Sequence, residues 1–78
     1  MTHILIVTPF TANKTYSSIP HLKLNIQYLS IRQWRQDPHI LEGTTPDYII
    51  ITCDIPEDLN DAIINRAASR NAIIDRPG

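Results

Sequence analysis

The sequence predicts an α/β fold: a mostly parallel sheet of three to four strands with one clear helix. Three observations predict it. The apolar runs His3–Thr8 (HILIVT) and Tyr48–Cys53 (YIIITC) are unbroken rather than alternating, the pattern of strands covered on both faces. Between Cys53 and a last short apolar stretch, Ala72–Asp75, lies a segment with the period of an amphipathic helix. A strand–helix–strand unit of this kind crosses over right-handed to a parallel neighbour. The succession from Asp47 to Gly78 has the form of the second half of a dinucleotide-binding β/α fold.

The first strand, His3–Thr8, is rich in β-branched residues and is ended by Pro9. Thr11–Ser18 is polar, with room for a turn or two of helix before Pro20. From Leu22 the apolar residues alternate and then slip, which places a second strand at about Ile26–Arg32 with its register open. Trp34–Thr45 reads as a loop whose Trp34, Ile40 and Leu41 fold back over the core. The third strand is Tyr48–Cys53.

Asp54 is placed to cap the helix, and Pro56 suits its first turn. Acids Glu57, Asp58 and Asp61 sit towards the positive end of the helix dipole, with Arg66 and Arg70 towards the negative end. The stripe Leu59, Ala62, Ile63, Ala67 faces the sheet, and Asn71 suits a left-handed C-cap. One helix cannot cover both faces of a sheet. The other face is expected to be covered by Thr11–Ser18 or by a second subunit.

Composition narrows the function. Seventy-eight residues allow one domain with one thin core, so the chain reads as a single partial domain, 1–78. Six of its eight acids fall between Glu42 and Asp61, while the bases are scattered without a stripe, which argues against nucleic acid as a partner. The apolar run Tyr48–Ile51 is far too short to span a membrane. Cys53 is the only cysteine, expected as a small buried hydrophobe; one thiol and no secretory leader predict a cytoplasmic setting. His3, His21 and His39 are too widely spaced to suggest a metal site.

The chain resembles the N-terminal NAD-binding domain of the siroheme synthase, or precorrin-2 dehydrogenase, family. The residues that carry the resemblance are HILIVTP, Ile31-Arg32-Gln33-Trp34, Ile40-Leu41-Glu42-Gly43, the strand Tyr48–Asp54 followed by Leu59-Asn60, and Asp75-Arg76-Pro77 after the helix. It implies an incomplete Rossmann-like domain, with Met1 near the start of the family's second strand. It also implies NAD as cofactor, a tetrapyrrole substrate and oxidation of precorrin-2 to sirohydrochlorin.

By the same resemblance Asp75 is the candidate catalytic acid/base, Thr52 and Asp54 line the adenosine side of the cleft, and Thr8 and Pro9 stand near the ribose. Each has a plainer reading: Asp75 as a turn residue before Pro77, Asp54 as a helix cap, Pro9 as a strand terminator. The family's opening strand and glycine-rich phosphate loop have no counterpart here, since Gly43 and Gly78 are the only glycines. Without that strand, His3–Thr8 and Tyr48–Cys53 must pair directly, recruit a partner's strand or leave open edges. Three functions stay open: a truncated or split dehydrogenase-like protein; a non-catalytic Rossmann-like module that assembles as a homo-oligomer or with a complementary subunit; or a small phage-type or regulatory protein whose resemblance is accidental.

Overall fold

A computed structural model describes residues 2–9 and 16–76. Five strands form one sheet: β1 (Thr2–Thr8), β2 (Tyr16–Ile19), β3 (Leu24–Ser30), β4 (Tyr48–Ile51) and β5 (Ile73–Asp75). Their order is β2-β3-β1-β4-β5. All neighbours are parallel except β2, which runs antiparallel along the outer edge of β3. The expected mostly parallel α/β sheet is present, with one more strand than the sequence suggested. β1 and β4 pair directly, Ile4 opposite Tyr48 through Val7 opposite Ile51.

Two helices accompany the sheet, α1 (Ile31–Gln36) and α2 (Glu57–Arg70). α1 corrects the expectation of a strand running to Arg32 followed by loop. The strand ends at Ser30, whose side chain accepts a hydrogen bond from Gln33 N at 3.0 Å, while Gln33 Oε1 accepts from Ser30 N at 2.9 Å. This reciprocal capping box satisfies two otherwise unpaired donors and turns the chain into helix. Ser-Ile-Arg-Gln is its signature in the sequence.

α2 corrects a second detail. Its N-cap is Pro56, with no side-chain cap; Asp54 lies too early to reach the first free N–H groups. Asp58 Oδ1 instead accepts from Leu59 N at 3.0 Å. The C-terminus is as expected: Asn71 is left-handed at φ 54°, and its N–H and that of Ala72 both bond to the Ala67 carbonyl.

The pleat divides the strands between two faces. On one face Leu5, Val7, Leu29, Ile49 and Ile51 are buried with Leu59, Ile63 and Ala67 of α2, Trp34 of α1 and Leu41. Trp34 and Leu41 thus fold back over the core as expected, and Ile40 packs against them. Arg66 ties α2 to the same strap, donating from Nε to the Thr44 carbonyl at 2.7 Å.

The opposite face carries Ile4 and Ile6 of β1, Leu24, Ile26 and Tyr28 of β3, Tyr48 and Ile50 of β4, and Ile73 of β5. None of them belongs to the core cluster or packs against it. Tyr48 is 43% exposed and Ile73 57%. Residues 16–18 do not form the helix considered for Thr11–Ser18; they lie in β2, in the plane of the sheet. Residues 11–15 of that segment fall outside the described residues.

Candidate functional site

In open α/β sheets, ligands bind beyond the carboxyl ends of the strands, where successive connections leave in opposite directions. Here that point lies between β1 and β4, because β1 is followed by β3 on one side and β4 on the other. Thr8 and Pro9 end β1 there, and Thr52, Cys53 and Asp54 follow β4. The topology therefore brings four of the sequence-predicted site residues, Thr8, Pro9, Thr52 and Asp54, to one end of the sheet.

Their side chains do different things. Thr52 closes the seam: its N–H and its Oγ1 both donate to the Val7 carbonyl, at 3.1 and 2.6 Å. The Thr52 hydroxyl proton is therefore committed to the fold. Pro9 is exposed, and Thr8 is half-buried. Asp54 is exposed and lines a cleft of about 520 Å³ with Ile51, Cys53, Ile55, Glu57, Asn60 and Arg76. Cys53, expected to be buried, is half-buried at this cleft. Asn60 and Arg76, which carry part of the resemblance without an assigned site role, also line this cleft. Asn60 Oδ1 is shielded from solvent without a hydrogen-bond partner.

Asp75 lies elsewhere. It pairs in register with Ile50 and lines an apolar depression of about 420 Å³ on the open face, with Ile4, Tyr48, Ile50, Ile73 and Ile74. Asp54 and Asp75 thus line two different concavities. A single pocket containing both a cofactor contact and an acid/base is not what these residues form.

As the described residues form it, the cleft does not fit a dinucleotide pyrophosphate. Such a group is held by backbone N–H groups of a glycine turn and by a helix N-terminus free of negative charge. The turn into α2 contains no glycine, and its entry carries Asp54, Glu57 and Asp58. Asp54, Glu57 and Asn60 Oδ1 give the cleft an acceptor-rich lining, with Arg76 the one basic side chain among the described residues that line it.

A second polar groove, about 590 Å³, lies on the closed side and includes His3, Gln27, Gln33, His39 and Thr44. His3 Nε2 and Gln27 Oε1 are 3.2 Å apart. At its rim His39 Nδ1 meets Glu42 Oε2 at 3.0 Å, and that carboxylate's hydrogen bond and charge raise the imidazole's pKa above 6.5. Among the described residues, no group of three or more His, Cys, Asp or Glu side chains is arranged to hold a metal ion. No helix of the described chain is long and apolar enough to cross a membrane. No protein-family model, no curated protein and no solved structure matches this chain.

Proposed function

We propose that this chain is a non-catalytic Rossmann-like assembly module, acting through the face of the sheet that no helix of the described residues covers. The observation that carries this reading is the row Ile4, Ile6, Ile26, Tyr28 and Ile50, continuous across three adjacent strands. These five are half-buried, and Tyr48 and Ile73 beside them are exposed; an apolar patch of this continuity on a monomer marks an interaction site.

The dehydrogenase reading rests on the resemblance and on the order β3-β1-β4-β5, which is that expected of the family's sheet without its central strand. Against it, β1 and β4 already pair where that strand would enter. The described residues of the cleft also offer no phosphate cradle, so Thr8, Pro9, Thr52, Asp54 and Asp75 do not make up an NAD site.

A titration of the isotopically labelled chain with NAD+, followed by amide NMR, tests the choice. The expected spectrum is dispersed and indifferent to NAD+ at Thr52, Asp54 and Asp75. Saturable shifts at the first two, or turnover of precorrin-2 with NAD+, would overturn the assembly reading.

A further inference from the structure

We infer that the occupant of the open face is a second copy of this chain, packed sheet on sheet about a twofold axis. The inference rests on the assembly reading above and names its partner. Three features favour a copy over a different macromolecule.

The first is charge. Asp75, on the edge strand β5, is the one charged strand residue whose register places it on this face. Two copies related by a twofold axis bring no like charges together at the centre. A strongly charged partner finds only Asp75 at the edge to recognise among the described strand residues. Self-complementarity is what an isologous interface requires.

The second is area. Five strands about 4.8 Å apart, three to seven residues long and about five on average at 3.3 Å, make a face roughly 20 Å by 17 Å. Two such faces, with their side-chain relief, remove on the order of 1,000 Å² from water, below the roughly 1,200 Å² of a stable interface and in the range of a weak one. A reversible, concentration-dependent dimer is therefore expected.

The third is topology. The connections β3–β4 and β4–β5 lead in one direction across the sheet, and the helices they carry share one core. The connection β1–β3 leads the other way, so the handedness rule assigns its cover to the opposite face. The strand within that connection, β2, lies in the plane at the sheet's edge instead. Sheets of this size pack face to face about 10 Å apart with side chains interdigitating, and a copy presents the matching aliphatic ridges.

Sedimentation velocity on the whole chain, over about 10 µM to 1 mM, reads the association directly. Intermolecular NOEs between labelled and unlabelled copies then locate it. The expected result is a monomer–dimer equilibrium with contacts between the Ile6 and Ile50 methyl groups of opposite copies. Ile73→Lys changes a side chain already 57% exposed, so it spares the fold. It is expected to weaken the dimer roughly tenfold.

A folded monomer at the highest concentration overturns the inference. So does a dimer whose contacts lie at the β2 or β5 edge, or one indifferent to Ile73→Lys. Those results leave the assembly reading with a different partner, whereas NAD+ shifts at Thr52 and Asp54 would remove that reading itself.

Discussion

The two faces of the sheet are built from alternate residues of the same strands, yet only one is closed. Leu5, Val7, Ile49 and Ile51 are covered by α2, Trp34 and Leu41. Their neighbours Ile4, Ile6, Tyr48 and Ile50 are equally apolar and face no helix of the described chain. The difference comes from the connections rather than from the strands. Both connections that carry a helix lead the same way across the sheet, and handedness puts both helices on one side.

The largest test of this comparison uses adjacent residues of β4. Ile49→Ala removes a fully buried side chain beside α2 and is expected to cost about 3 kcal/mol. That is a large share of the roughly 4–12 kcal/mol expected of 78 residues, so the urea midpoint should fall steeply. Ile50→Ala, one residue along and on the open face, should cost no more than about 1 kcal/mol in the dilute monomer. Urea melts followed by the fluorescence of Trp34 read both. Equal losses would mean that the two faces are equally covered, and the comparison would fail.

The same contrast explains what was legible in the sequence. An unbroken run such as YIII announces a strand with two apolar faces, and both are apolar. It does not say which face is covered, because coverage is decided by the direction of the crossovers. α2 was legible almost to the residue, since its stripe Leu59, Ile63, Ala67 and its left-handed Asn71 are local signals. Only its start differed. Asp54 carries the right side chain for a cap, but the chain remains extended until Pro56. β2 was missed because its pairing with β3 depends on the tight turn at Pro20–Lys23, where Lys23 adopts φ 55°. α1 was missed although its capping box was in plain view; the aliphatic alternation leading into Ser30 favoured continuing the strand. At the candidate site, positions were legible and roles were not. The sequence places Thr8, Thr52 and Asp54 at strand ends, but only the fold shows the Thr52 hydroxyl donating to Val7 and Asp75 on the other face.

A smaller test loosens the cover without touching the core. Ser30→Ala breaks the capping box and leaves Gln33 N–H without its acceptor, at an expected cost of about 1 kcal/mol. Because α1 carries Trp34, the indole emission should shift to longer wavelength well before global unfolding. If the urea midpoint does not move, α1 contributes nothing to closing this face.

At the other end of the cover, Asn71 holds a left-handed conformation that a side chain with a β-carbon adopts at a cost. Asn71→Ala should destabilise by about 1 kcal/mol, whereas Asn71→Gly should be neutral or gain a few tenths. Thermal melts of the pair separate the backbone requirement from any side-chain contact of Asn71. Equal effects would mean that conformation is not what ends α2.

The smallest effect is expected at the strap beside the closed face, where pH rather than packing is the lever. Glu42 stabilises protonated His39, chiefly through their hydrogen bond and then through its charge, so the folded pKa lies above the unfolded value. A group raised in this way contributes stability that is fully present below pH 6.5 and is lost as pH rises through the raised value. Both side chains are largely exposed, so solvent and salt screen the pair and the contribution is small. NMR titration of the His39 ring should give a midpoint above 6.5, returning towards 6.5 in Glu42→Gln and in high salt. The urea midpoint of the wild-type chain should exceed that of Glu42→Gln slightly at acidic pH and match it at pH well above the His39 midpoint. No histidine among the described strand residues lies on the open face, so a dimer formed there should not follow this titration. A dimer that did would have to involve the strap and the closed side, and the contrast between the two faces would be reversed.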